Sequence, residues 1–455
     1  MPLIVLANRE PLRQSEGGRW EPSVGGLTTA LLPVLEKRGG VWVAWAEEGA
    51  DTKPRLSYPE DEPKLEVHRL TLSKDEVAGY YYGLANRVLW PVCHYFTERM
   101  EIERSFFGVY QAVNQKFADT AARVYTSGDT LWVQDYHLML APELLRERLP
   151  DARIGFFFHI PWPAEEVWRV LPWARALTEG LLSADVVGFH NDEYVQNFLE
   201  AAAGVPEATV IGQTVFYRGR KVRVEAHPIG IDSAYFNMLA QDVDVQAEAA
   251  SLRHDIGSEF ILLGVDRLDY TKGVPERLLA FEQFLASYPE YRKRVTLIQV
   301  SSPSRTHVNS YQELKRNVDE IAGRINGTYM EGDWAPVRYL YRSHSQRELT
   351  SLYLAADVAL VTPLRDGMNV VAQEFACVNQ NGVLMLSVLA GANAVLPGAI
   401  SVNPFDTEGV ARALKDALTL PQADRTARST RLRARVIELD VYGWAERFLT
   451  SLEDA

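Results

Sequence analysis

The feature that most narrows the fold is a rhythm of short, almost wholly apolar runs, each followed by an amphipathic stretch, in two successive series. The first series is Leu3 to Ala7, Val41 to Trp45, Leu131 to Gln134, Ile154 to Phe158 and Val186 to Phe189. The second is Phe260 to Val265, Val295 to Val300, Val337 to Leu340, Val358 to Val361, Val383 to Ser387 and Ala399 to Val402. Strands that apolar must be covered on both faces, which describes parallel sheets flanked by helices. The intervening stretches Pro275 to Ser287, His307 to Ala322, Gln346 to Ala355 and Glu408 to Leu418 carry helical periodicity. The two series meet near P-I-G-I-D, Pro228 to Asp232, and the polar stretch Gln241 to Ser258 follows. The expected architecture is α/β, with two doubly wound, Rossmann-like domains facing a central cleft. They span residues 1–232 and 233–440, and the terminal stretch 441–455 packs back on the first as a helix. Ligands in such folds bind at the C-terminal ends of the strands.

Composition excludes several classes. A chain of 455 residues predicts two or three domains with a sizeable core. A formal net charge of -13 argues against nucleic acid, whose phosphates are bound by basic surfaces. Any phosphate must be held by a few local Arg and Lys side chains. Two cysteines, Cys93 and Cys377, exclude a disulfide framework and a cysteine-rich metal site. No H-E-x-x-H, paired Cys or Asp-x-Asp pattern is present, so no metal is expected. Apolar runs are too short for a membrane span, and Met1 to Arg9 lacks the basic start of a signal peptide. The expected location is the cytoplasm.

Polar motifs gather at the strand ends. After Val358 to Val361 comes T-P-L-R-D-G-M-N-V-V-A-Q-E, Thr362 to Glu374, a strand–turn–helix layout that aims unpaired backbone N–H groups at an anion. Asp366 sits in the turn, suited to sugar hydroxyls, and Glu374, two turns into the helix, is within reach of a ribose. Phosphate, hexose and ribose groups together describe a nucleotide sugar; the alternative is an ordinary strand–turn–helix. The strand at Ile261 runs into D-R-L-D-Y-T-K-G, bringing Arg267 and Lys272 to its end, either as phosphate ligands or paired with Asp266 and Asp269. Arg305 follows the next strand in S-S-P-S-R, a position suited to bidentate phosphate recognition. In the first half, S-V-G-G-L offers Gly25 and Gly26 for close backbone approach, or a simple turn. W-V-Q-D-Y-H-L places Asp135 and His137 after a strand, and G-F-F-F-H-I-P-W-P does the same for His159. Tyr80, Tyr81, Trp90 and His94 form an aromatic cluster, equally readable as core or as a platform for sugar C–H faces.

Taken together, V-L-A-N-R, S-V-G-G-L, L-W-P-V-C-H-Y, D-Y-H-L, H-I-P-W-P, P-I-G-I-D, R-L-D-Y-T-K-G, G-R-I-N-G and L-R-D-G-M-N-V-V-A-Q-E resemble, in order and spacing, the trehalose-6-phosphate synthase family of retaining glycosyltransferases. The resemblance implies the two-domain GT-B arrangement and the transfer of glucose from a nucleoside diphosphate glucose to glucose 6-phosphate, without a cofactor. It implies an acceptor pocket of Arg9, Tyr81, Trp90, Asp135 and Arg305, with the two arginines on the phosphate. It implies a donor pocket of Gly25, Gly26, Arg267, Lys272, Asp366, Met368 and Asn369, with Val370, Val371, Ala372, Gln373 and Glu374 on the diphosphate and ribose. His344 would meet the base, and His159 would lie beside the transferred sugar. The residues it assigns to catalysis are His159, Arg267, Lys272 and Asp366.

The chain departs from the family's habit at Val24, Trp162 and Val395, which leaves the donor base (UDP, ADP or GDP) open. The ending of the chain implies that a separate trehalose-phosphate phosphatase acts downstream, and homo-oligomerisation is left open. Two other classes stand beside the synthase: a glucosylglycerol-phosphate synthase, and a catalytically inactive sugar-phosphate-sensing subunit. The first would alter the acceptor set and the second would lose Arg267, Lys272 or Asp366.

Overall fold

The computed structural model describes residues 2–14, 18–23, 26–46, 53–59, 61–305 and 309–455. Gly25, Val24 and the start of the His307 helix lie outside them. The chain divides into two compact units, one running to Ile229 and taking in Val441–Ala455, the other Gly230–Asp440. The division falls just before the expected Asp232, which instead caps the helix Ser233–Gln241 by accepting the Tyr235 N–H at 2.9 Å.

The first unit holds a 10-stranded sheet. Its strands are β1 (Leu3–Arg9), β2 (Gly40–Trp45), β3 (Arg55–Tyr58), β4 (Leu65–Leu70), β5 (Thr130–Gln134), β6 (Arg153–Phe157), β7 (Val186–Phe189), β8 (Thr209–Ile211), β9 (Thr214–Tyr217) and β10 (Arg220–Ala226). They lie in the order β8-β9-β10-β7-β6-β5-β1-β2-β4-β3. All pairs from β10 to β4 are parallel, and antiparallel hairpins close both edges. The chain moves outward from β1 through β2 and then returns to pair β5 on the other side of β1. Such a reversal, here at the C-terminal ends of β1 and β5, is where open α/β sheets bind their ligands.

The helix Val441–Glu453 belongs to this unit and lies flat on its sheet. Phe448 stacks on Trp132 at 4.8 Å, and Trp444 sits 5.1 Å from the same ring. Glycine is required beneath it, since a Cβ at Gly155 or Gly188 would meet the Phe448 ring at 2.7 Å. A salt-linked corner adds to the anchor: Ser451 donates to Glu225 at 2.5 Å, and His227 lies 2.8 Å from the same carboxylate.

The second unit is a 6-stranded, fully parallel sheet. Its strands are β11 (Phe260–Arg267), β12 (Val295–Ser302), β13 (Val337–Leu340), β14 (Val358–Val361), β15 (Val383–Ser387) and β16 (Ile400–Val402). The order β13-β12-β11-β14-β15-β16 is the doubly wound one, with its reversal between β11 and β14. Leu262, Leu297, Val358 and Met385 face Leu278, Phe281, Val318 and Leu414 from the covering helices, all essentially solvent-free. Among the described residues no helix is long and apolar enough to cross a membrane.

Candidate functional site

In each unit several of the expected ligand residues lie at the reversal of strand order, Arg9 and Asp135 in the first and Arg267, Lys272 and Asp366 in the second, whereas Arg305 and His344 follow the neighbouring strands β12 and β13. In the second unit, β11 ends at Arg267, and the 3-10 turn Tyr270–Lys272 leads through left-handed Gly273 into the helix Val274–Ser287. The loop after β14 is fastened to that turn, because Leu364 N–H donates to the Thr271 carbonyl at 2.8 Å. Lys272 Nζ donates to Asp366 Oδ2, and Asn369 Nδ2 donates to the same oxygen at 3.0 Å. Lys272 therefore pairs with Asp366 rather than with Asp266 or Asp269. Asn369 takes a left-handed φ of 79° and starts the helix Val370–Val378 without a side-chain cap. The first N–H groups of that helix thus stay available at its positive end, beside a cation and a carboxylate. Met368 and Ala372 are buried, Gln373 is fully buried, and Val370 and Val371 are partly buried. Gly391 lies against this loop from β15, and a Cβ there would sit 1.9 Å from the Gly367 carbonyl oxygen.

Two fully buried carboxylates organise the same strand ends. Asp266 accepts from Arg277 at 2.5 Å, and Arg277 also donates to Thr362 Oγ1 and to Gln299 Oε1, both at 3.0 Å. Burial pushes the Asp266 carboxyl above its ordinary range, and Arg277 pulls against that shift. Asp269 accepts from Arg305 at 3.1 Å, from the Tyr311 hydroxyl at 2.7 Å and from Thr271 N–H at 3.0 Å. Burial alone would raise Asp269, yet Arg305, Arg267 and the Thr271 N–H outweigh it and hold the group well below the usual carboxylate range. Arg305, at a left-handed φ of 46°, is thereby fixed with one edge on Asp269 and Tyr311.

Glu374 lies one turn into its helix, not two, because the helix starts at Val370. It accepts the Tyr353 hydroxyl proton at 2.6 Å, and burial pushes its carboxyl up to about 7 against that hydrogen bond. His344 lies in the loop after β13 with Nδ1 3.1 Å from the Arg342 carbonyl oxygen. Burial, followed by the charge of Arg342, lowers its pKa from the ordinary histidine value.

In the first unit, Arg9 ends β1 and donates to the Tyr81 hydroxyl at 3.0 Å. The Tyr81 ring stacks on His137 at 5.9 Å and 11°, while Tyr80 donates to Asn8 Oδ1 at 2.9 Å. Asp135 follows β5 with φ 71° and accepts the His159 backbone N–H at 3.1 Å. His159 Nε2 lies 2.9 Å from Gln134 Oε1, and His190 Nε2 lies 3.1 Å from the His159 carbonyl oxygen. Burial and the neighbouring His190 hold the His159 ring far below its ordinary pKa. A neutral imidazole there donates to Gln134 and keeps Nδ1 as an acceptor. Such a ring suits a hydrogen bond to a hydroxyl better than delivery of a proton. The aromatic segment is largely core: Trp90 is 4% exposed, packed on His94 at 4.1 Å and tilted toward Tyr136.

Of the seven non-glycine residues with positive φ among those described, three are Asp135, Arg305 and Asn369. Each such conformation costs about 1–2 kcal/mol, and strain of this kind concentrates where side chains must be aimed. Sequence reasoning passed over Arg277, Gln134 and Tyr311, which contact the expected ligands. Only the amide directly after the apolar run at Leu131 was a readable signal. Among the described residues, no three His, Cys, Asp or Glu side chains converge as a metal cage requires.

The family model for glycosyltransferase family 20 matches residues 2–454. The chain is 41% identical to the trehalose-6-phosphate synthase of Mycobacterium marinum, over 99% of this chain and 94% of that one. It is also 41% identical to a bifunctional trehalose-6-phosphate synthase/phosphatase of Thermoproteus tenax, over 100% of this chain and 64% of the longer relative. An E. coli structure bound with UDP-2-fluoro glucose superposes with a TM-score of 0.93 at 33% identity, covering 100% of this chain and 99% of that one. A UDP-forming α,α-trehalose-phosphate synthase from Burkholderia xenovorans, in complex with glucose-6-phosphate, superposes with a TM-score of 0.92 at 33% identity, covering 100% of both chains.

Proposed function

The chain belongs to glycosyltransferase family 20 and has the GT-B fold, and on that premise we propose that it transfers glucose from UDP-glucose to glucose 6-phosphate, giving α,α-trehalose 6-phosphate and UDP. The observation that carries this reading is the Lys272–Asp366–Asn369 constellation at the uncapped start of the helix Val370–Val378. Arg267, Lys272 and the helix N–H groups take the donor diphosphate, Asp366 and Asn369 the glucosyl hydroxyls, and Glu374 the ribose. His344 and its loop meet the base, and Gly25 and Gly26 are assigned to the donor. Arg9 and Arg305 take the acceptor phosphate, while Tyr81, Trp90 and Asp135 orient the acceptor ring.

The configuration of the donor is retained. The acceptor hydroxyl attacks the anomeric carbon from the face the diphosphate is leaving, and an oxygen of the departing phosphate takes its proton. No carboxylate nucleophile is needed; the protein holds the partners and offsets charge on the leaving group. His159, being neutral, hydrogen-bonds the transferred sugar. A nucleoside diphosphate glucose and glucose 6-phosphate are cytoplasmic metabolites, so the reaction proposed is a cytoplasmic one.

A donor-by-acceptor screen with product identification tests the reading. UDP-, ADP- and GDP-glucose are each offered with glucose 6-phosphate or glycerol 3-phosphate. The expected result is trehalose 6-phosphate formed fastest from UDP-glucose. Transfer mainly to glycerol 3-phosphate would reassign the acceptor pocket, and no turnover with any pair would make the chain a sensor.

A further inference from the structure

The second unit contains a cavity of about 490 Å³ at the opposite end of its sheet from the Lys272–Asp366 site, beside the starts of β14 and β15. Its wall carries three arginines, Arg253, Arg425 and Arg433, against a single carboxylate, Asp357. Asp357 is already engaged, accepting from Arg253 at 3.0 Å and from the Ile261 N–H at 2.8 Å. Arg425 donates only to backbone carbonyls, those of Ala417, Leu418 and Leu420, and Arg433 donates to Asn237 Oδ1 at 2.5 Å. Among the described residues no carboxylate forms an ion pair with either of them. Both lie on the 17-residue helix Gln422–Glu438, which starts at the cavity wall without a side-chain cap. In a chain of net charge -13, this is a concentration of uncompensated positive charge around a space of ligand size.

We propose that this cavity is a regulatory site for the phosphate ester of a small polyhydroxylated molecule. Guanidinium groups and helix N–H donors suit a phosphate dianion. The amides of Gln246, Gln380, Asn381 and Gln422 on the same wall suit hydroxyl groups. No aromatic ring lines the cavity, so a nucleobase finds nothing to stack on. The site is connected to the donor loop by one short element. The helix Val370–Val378 begins at Asn369, beside Asp366, and ends at Asn379 in the cavity wall. Asn379 donates to the carbonyls of Tyr353 and Ala356 at 2.7 and 2.8 Å, and the Tyr353 hydroxyl donates to Glu374. An occupant that shifts Asn379 therefore acts on that helix at its C-terminus and, through Tyr353, at Glu374 in its middle.

The test is calorimetric titration with fructose 6-phosphate, inorganic phosphate and fructose. The proteins are the parent, Lys272→Ala, Arg433→Gln and the double variant Arg425→Gln/Arg433→Gln. Fructose 6-phosphate should bind the parent and Lys272→Ala alike, at least tenfold tighter than inorganic phosphate, with fructose silent. Binding should weaken at least tenfold in Arg433→Gln, a variant that spares the Arg425 bonds to backbone carbonyls should the double variant fail to fold. At saturation the ester should change the KM for UDP-glucose by about fivefold or more, the usual lower range of coupling between sites. Binding lost in Lys272→Ala but kept in Arg433→Gln would return the ligand to the donor site and overturn the proposal. So would equal affinity for inorganic phosphate, or an unchanged KM in the parent.

Discussion

Lys272 meets three demands at once: it is largely buried, it pairs with Asp366, and it lies where the strand order reverses. If it stabilises the leaving diphosphate, its contribution grows as the glycosidic bond breaks. Lys272→Ala should lower kcat by about 10²–10³-fold while calorimetry finds a smaller loss of UDP affinity. Equal losses would mean that it holds only the ground state. Arg305 argues differently, because one edge of its guanidinium is spent on Asp269 and Tyr311. The acceptor phosphate is assigned to the same guanidinium. Arg305→Lys keeps a charge beside buried Asp269 but loses the planar fork. It should raise the KM for glucose 6-phosphate by about tenfold, a loss of about 1.4 kcal/mol, with the KM for UDP-glucose little changed. Steady-state kinetics varying one substrate at a time reads the split. Unchanged acceptor kinetics would remove Arg305 from the phosphate.

At the scale of elements, the helix Val370–Val378 and the segment around Gly391 act as one fitting. Since a Cβ at Gly391 would collide with the Gly367 carbonyl, Gly391→Ala must displace the loop that carries Asp366. The expected outcome is a donor KM raised and a kcat lowered, each by about tenfold, in a protein whose circular dichroism is unchanged; parent-like kinetics would show that the loop tolerates the shift. Glu374 gives this helix a pH signature. Its carboxyl is raised to about 7 by burial, so the folded state holds a proton that the unfolded chain releases at about pH 4.5. Its contribution to stability is therefore greatest below pH 4.5 and is lost as pH rises toward 7. Glu374→Gln should flatten that part of the curve of Tm against pH, and an unaltered curve would show that Glu374 titrates normally.

The same scale explains what sequence could and could not reveal. Strands such as Ile261 to Val265 were legible because burial on both faces leaves no polar position. Leu65–Leu70 and Arg220–Ala226 escaped because they alternate, L-E-V-H-R-L and R-K-V-R-V-E-A, and their apolar content is diluted. The π-helix Ala78–Leu89 also escaped, since its period matches neither pattern. Among site residues, the loop Thr362 to Asn369 was readable from its strand–turn–helix context. The Arg277–Asp266–Gln299 network was not, because pairing between side chains from separate strands and a helix leaves no local trace.

At the scale of the whole molecule, the function proposed has an acidic chain handle highly charged phosphates through a few cations placed at strand ends. If Arg267, Lys272 and the helix N-terminus offset the diphosphate, turnover should persist in excess EDTA, and loss restored by a divalent ion would reveal a different cation source. The central claim is transfer with retention from UDP-glucose to the anomeric hydroxyl of glucose 6-phosphate. Proton NMR, following the anomeric signals as the two substrates are mixed with the enzyme, tests it most directly. The account predicts that the first product formed is α,α-trehalose 6-phosphate, appearing in step with UDP. A β-configured linkage at the transferred glucose, or UDP released without a disaccharide phosphate, would contradict it.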